Sequence, residues 1–227
     1  SLKLTDLAKE NNISVENADG DSRTYQVDLT KYTGLPVVYL TTENNAAVES
    51  KEDYINGTVA IDGGRYFDDL PESIIEIRGR GNSTWALHPK KPYQIKFESK
   101  TEFLGMIEDK RWLFLAEYSD KTMLRNRTVF EMGHLSNLEY TTQGVYAEVF
   151  LNGLYNGTYN ITQKVEESNN RVAIGDEGYL LEIDQDWRID PDDVFFYTDE
   201  FDGPGLVNIK EPPGISYGTP EYDYIRD

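Results

Sequence analysis

The run Val145-Tyr-Ala-Glu-Val-Phe-Leu151, then Asn152-Gly153, then Leu154-Tyr-Asn-Gly-Thr-Tyr-Asn-Ile-Thr-Gln163, decides how this chain is built. Val145, Ala147, Val149 and Leu151 alternate with Tyr146, Glu148 and Phe150. A period of two is what a strand with one buried face requires. Asn-Gly between two such runs is the strongest short-range hairpin signal, so the segment reads as two antiparallel strands joined by a tight turn.

Working outward, the same chemistry recurs. Leu35-Pro-Val-Val-Tyr-Leu-Thr-Thr42 is a β-branched run after a proline, and Tyr54 to Ile61 puts Ile55, Val59 and Ile61 on one face. Ile74 to Arg78 and Pro92 to Phe97 read as strands flanking a glycine-rich turn, and Trp112 to Ala116 as a short buried strand. Gly178 to Asp184 and Leu206 to Lys210 add two more. One helix is predicted: Asp120 caps it, and Met123, Leu124, Val129, Phe130, Met132 and Leu135 recur at roughly helical spacing. The expected class is α+β, predominantly antiparallel β with one main helix. The polar stretch before Leu35 reads as an N-terminal extension over 1–34, leaving 35–227 as one domain.

Composition narrows the function. With 41 acidic against 22 basic residues the net charge is −19, so no cation excess exists to displace counterions from nucleic acid or to bind an anionic membrane surface. Such acidity either recruits a basic partner or keeps a secreted protein soluble. The chain has no cysteine, which excludes disulfides, thiolate metal sites and a cysteine nucleophile. No stretch approaches the roughly 20 apolar residues of a membrane-spanning helix.

Against that acidic background, Ile77-Arg78-Gly79-Arg80-Gly81-Asn82-Ser83-Thr84 concentrates cations and small residues between two strands. Glycines let peptide N–H groups converge on one point, hydroxyls add donors, and guanidinium forks suit phosphate oxygens. Lys90, Lys91 and Lys96 follow closely. The segment reads either as an anion pocket or as a tight turn with ion-paired basic residues. A run of aspartates at 184, 186, 190, 192 and 193 reads either as a Ca²⁺ loop or as a solvated acidic loop. Its spacing does not match an EF-hand.

Ile77-Arg-Gly-Arg-Gly-Asn-Ser-Thr-Trp85 with Lys90-Lys-Pro-Tyr-Gln-Ile-Lys-Phe97 closely resembles the signature of the CotH family, named for spore coat protein H. Asp120-Lys-Thr-Met-Leu-Arg-Asn126, the Asn152-Gly153 hairpin, Gln163-Lys-Val-Glu166, Arg171-Val172 and Gly178 to Asp184 continue the resemblance in order, from about Leu35 to the C-terminus. The resemblance implies the N-lobe and hinge approach of an atypical kinase-like fold that transfers the ATP γ-phosphate to serine in protein substrates. It implies Arg78, Arg80, Gly81, Asn82 and Ser83 around the phosphates, and Lys96 as the phosphate-binding lysine. Glu166 or Glu131 would be the acid that aims it, with Glu166 preferred. ATP and Mg²⁺ are expected for the full-length domain. The family's later catalytic and metal-binding acids have no counterpart in this sequence, so no catalytic or metal residue is assigned and the chain alone is expected to be inactive. The localisation implied is extracellular or spore-surface. Homodimerisation through a face exposed by truncation is an expected consequence. The alternative is a non-catalytic β-rich interaction module of a spore-coat or cellulosome-type assembly.

Overall fold

A computed structural model describes residues 11–27, 33–201 and 203–227. Of the 1–34 extension, residues 1–10 and 28–32 lie outside the described set. Between them β1 (Asn11–Glu16) and β2 (Ser22–Val27) pair as an antiparallel hairpin. The Asn17 side-chain carbonyl closes their turn by accepting from the backbone N–H of Asp19 (3.0 Å) and Asp21 (2.9 Å).

Seven further strands follow: β3 (Val37–Thr42), β4 (Ile55–Asp62), β5 (Leu70–Gly79), β6 (Tyr93–Phe103), β7 (Met106–Leu115), β8 (Gly144–Leu151) and β9 (Leu154–Gln163). They close into a barrel in the order β3-β4-β5-β6-β7-β9-β8. Every neighbouring pair is antiparallel except the closing one, where β3 runs parallel to β8 with Val38 opposite Val149. Closure leaves the ring without an exposed edge.

Each strand sends at least two alternate residues inward, and all are buried: Val38 and Leu40, Val59 and Ile61, Ile75 and Ile77, Tyr93, Ile95 and Phe97, Trp112 and Phe114, Ala147 and Val149, Tyr159 and Ile161. A small barrel has an interior that such side chains fill, and each large one contributes roughly 1.5–3 kcal/mol by leaving water. Phe103 joins them, its ring 5.5 Å from Trp112 and 6.2 Å from Phe114. The Tyr159 hydroxyl, carried inside with its ring, donates to the Lys91 carbonyl oxygen at 2.8 Å.

This architecture overturns the α+β expectation. The domain is mostly β, a closed seven-stranded barrel with few helices, and not a kinase N-lobe arrangement built round a main helix. The expected helix exists as α2 (Arg125–Leu135), after the single turn α1 (Ser83–Leu87), but none of its residues is buried. Val129, Met132 and Leu135 are all more than half exposed. The physical reason is closure: strand side chains alone fill the interior, so the helix lies outside the ring and adds nothing to that core. Asp120 does serve the helix start, its carboxylate accepting the Arg125 N–H at 2.9 Å.

The chain divides into two compact units after Gln163. The second holds a three-stranded antiparallel sheet, β10 (Leu180–Asp184), β11 (Val194–Phe201) and β12 (Gly203–Glu211), with β12 central. Its last element, α3 (Pro220–Arg226), starts with Thr219 accepting the Tyr222 N–H and Pro220 in the first turn. Tyr222 is buried, and its ring meets Phe196 at 6.4 Å.

Candidate functional site

The turn between β5 and β6 needs its two glycines for different reasons. At Gly79 a side chain would meet the Trp85 ring at 2.5 Å, so the indole lies directly on the backbone. Gly81 has φ +83°, the left-handed region that favours glycine. The turn is tied down by Gly79 N–H to Ser50 O (2.8 Å) and Arg80 N–H to Pro92 O (3.2 Å). Asn82 precedes α1, and its side-chain oxygen accepts from Lys51 Nζ at 3.0 Å. Ser83 and Thr84 open that helix.

On the outer face of β5 and β6, alternation gathers a polar group. Inward Ile75 and Ile77 force Glu76 and Arg78 outward, and the register sets Glu76 opposite Lys96 and Arg78 opposite Gln94. Three of these side chains converge on Tyr54. The Arg78 guanidinium lies 4.7 Å from its ring centroid, Lys96 Nζ lies 5.6 Å away, and Gln94 Nε2 donates to its hydroxyl. Arg78 also donates to the Glu52 carbonyl oxygen at 3.2 Å, while its Nε is buried with no hydrogen-bond partner. Lys96 Nζ closes on Glu76 Oε2 at 2.8 Å.

Glu76 therefore stands where the resemblance placed Glu131 or Glu166. Glu131 pairs with Arg127 one helical turn earlier (2.7 Å), and Glu166 with Lys164 (3.2 Å). Tyr54, Glu76 and Gln94 were missed from sequence. The available signal was alternation itself, since Glu76 shares the outward parity of Arg78.

Lys90 and Lys91 do not contribute to an anion pocket. Lys90 Nζ donates to the carbonyl oxygens of Ala116 (2.9 Å) and Thr158 and sits 4.2 Å from the Tyr159 ring centroid. Burial lowers its pKa to about 8, with Glu117 and Glu148 pulling the other way. Lys91 Nζ donates to the Trp85 carbonyl oxygen at 2.5 Å. Both lysines clamp the returning arm of the turn to the barrel.

In the second unit the aspartate run is dispersed among protein partners. Asp184 pairs with Arg188 at 3.0 Å, Asp193 accepts from Asn208 at 3.0 Å, and the Tyr197 hydroxyl donates to Asp186. Among the described residues no group of three or more His, Cys, Asp or Glu could hold a metal ion. No described helix is long and apolar enough to cross a membrane.

A family model described as CotH kinase protein matches residues 77–204, more than half of the chain. The match begins at Ile77, on the strand that carries Arg78, and runs through the turn and both clamping lysines. No curated protein matches the chain.

Proposed function

The chain belongs to the CotH kinase family, and from that premise we propose that the β5–β6 turn and the outer face beside it form an anion subsite for the phosphates of ATP. Arg78, Arg80, Gly81, Asn82, Ser83 and Lys96 are its members in this reading. The observation that carries it is the convergence of two cations on Tyr54, at the root of a glycine turn, in a protein of net charge −19. The buried, unpartnered Nε of Arg78 fits an oxyanion, which would supply the missing acceptor. Lys96 is held by Glu76 as kinases hold their phosphate lysine by a carboxylate.

The activity proposed for this family's domain is transfer of the ATP γ-phosphate to serine in protein substrates at an extracellular or spore surface. The described residues do not fit Mg²⁺, because no carboxylate group assembles among them to hold it. What these residues do is bind and orient. The backbone of Gly81 to Ser83 presents N–H groups, Arg78 offers a planar fork, and Lys96 adds a steered point charge. Binding and orientation are therefore the parts of the reaction assigned to these residues.

A second reading, a β-rich interaction module of a coat- or cellulosome-type assembly, takes its support from the clamps. Lys90, Lys91 and Lys96 all have protein partners, as a purely structural turn would require. Calorimetric titration of the chain with ATP separates the two. The subsite reading expects heat from binding that is reduced at least fivefold in affinity by Arg78→Ala and by Lys96→Ala, a loss of one charge-assisted contact. Heat that is absent, or indifferent to both variants, sinks it in favour of the module.

A further inference from the structure

The second unit carries a concentration of charge that the phosphate reading does not use. Residues 164–227 hold 17 acidic and 5 basic side chains, net −12. On one face of its sheet lies a cavity of about 360 Å³, with Asp186, Asp190 and Asp193 on its lining, Phe195 and Tyr217 as aromatic walls and Leu206 on its floor. The two rings meet edge to face with centroids 6.4 Å apart.

The charged lining is all acceptor, and a buried asparagine supports it from below. Asn208 stands directly opposite Phe195 across the β11–β12 ladder and two residues beyond Leu206, hence on the cavity's face of the sheet. It is wholly buried; its Nδ2 donates to Asp193 at 3.0 Å, and its Oδ1 has no hydrogen-bond partner. Asp193 is ionised by its surroundings. Partial burial pushes its pKa up, but hydrogen bonds from the Asp190 N–H, Asn208 and Lys210 outweigh that and hold it below the usual carboxylate range.

A ligand that suits this site brings several N–H donors on one planar group, a positive charge, and an apolar stem to lie on Leu206. A guanidinium has five donors in a fixed fork and stacks on aromatic faces, whereas an ammonium is a compact, strongly hydrated point charge. We propose that the cavity between Asp190, Asp193, Phe195 and Tyr217 receives an arginine side chain of a partner polypeptide. The carboxylates take the fork, and Asn208, which donates to Asp193 through its side-chain amide, senses the occupied site. The proposal is independent of any nucleotide site on the barrel.

The test is a titration of the full chain with the tripeptides Gly-Arg-Gly, Gly-Lys-Gly and Gly-Ala-Gly, followed by nuclear magnetic resonance of side-chain amides and aromatic rings. The arginine peptide is expected to shift the Asn208 amide and the Phe195 and Tyr217 rings, with Gly-Lys-Gly weaker and Gly-Ala-Gly silent. Asp190→Asn, whose side chain supports no neighbour, should weaken the arginine peptide roughly threefold to fivefold, as loss of one partly exposed charge does. Tyr217→Leu should lower the preference for arginine over lysine, with β12 backbone signals reporting that the sheet stays intact. Equal shifts from both cationic peptides that Asp190→Asn leaves alone would show only diffuse attraction and overturn the proposal. So would silence of the Asn208 amide with the arginine peptide.

Discussion

The barrel and the three-stranded sheet face the same task, burying an apolar sheet surface, and they complete it to different degrees. Every barrel strand places two residues wholly inside a ring with no edge. In the second unit Leu206 and Val207 on the central strand are buried, yet on the outer strand β10 Ile183 is 64% and Leu181 43% exposed. Charge follows the same division: residues 1–163 carry 24 acidic and 17 basic side chains, against 17 and 5 in residues 164–227. A closed interior can carry a polar exterior of mixed sign and cluster cations on it. An open sheet with little interior holds its acids apart through local partners such as Arg188 and Lys210.

That contrast predicts unequal responses to substitution. The largest is at the barrel centre: Trp112→Ala should destabilise the first unit by about 3–5 kcal/mol, the usual cost of emptying a large aromatic site. Urea unfolding checks this. Because Trp187 belongs to the second unit, its fluorescence change should keep its midpoint. Midpoints that move together would merge the two units into one cooperative whole.

Next comes Gly79→Ala, whose added methyl meets the Trp85 ring. Overpacking of this kind costs about 1–3 kcal/mol, read as a lower urea midpoint for the barrel and a changed Trp85 environment. At Gly153, which has nothing within 4 Å of an added carbon but a φ of +76°, the penalty is backbone strain alone, about 1–2 kcal/mol.

The pH response should also belong to the barrel. The Lys90 pKa is lowered on folding to about 8 from 10.5, so between those values the unfolded chain binds more protons. Stability then rises as pH rises through 8. Above about 10 the sign reverses, because burial raises the Tyr93 and Tyr159 pKa values and the unfolded chain loses those protons first. With Lys90 open to solvent on one side, a rise of about 1 kcal/mol is expected after allowing for screening. Lys90→Met should flatten the profile between pH 8 and 10, and an unchanged slope would remove Lys90 as its cause.

Smallest is Lys96→Ala. It removes a partly exposed ion pair with Glu76 and should shift stability by no more than about 0.5 kcal/mol, while reducing ATP affinity. A large stability loss would instead mark the pair as structural.

Legibility followed locality. The Asn152-Gly153 turn has both residues at positive φ, +52° and +76°, and the strands on either side lie where alternation put them. The second hairpin turns on Leu104 and Gly105, also both at positive φ. Leucine carries no such signal, so the sequence shows β6 and β7 only as two short runs without their connection. Closure was invisible for another reason. It joins β3 to β8, and the Asn152 side-chain oxygen accepts the Thr42 N–H at 2.8 Å across 110 residues, a pairing no local pattern encodes. Losing closure made α2 look like a core element. At the candidate site the residue types were readable, but partners depended on strand register. Glu76 faces Lys96 because β5 and β6 pair with Ile77 opposite Ile95, and Lys90 and Lys91 turned out to reach carbonyl oxygens instead of the turn.

The most direct measurement of the central claim is the structure of this chain with a non-hydrolysable ATP analogue. The account predicts phosphate oxygens within hydrogen-bonding distance of the Arg78 guanidinium and the backbone N–H of Gly81, with Lys96 still bracketed by Glu76 and Tyr54. Phosphates bound away from β5 and β6, or a turn left untouched while nucleotide occupies another surface, would contradict it.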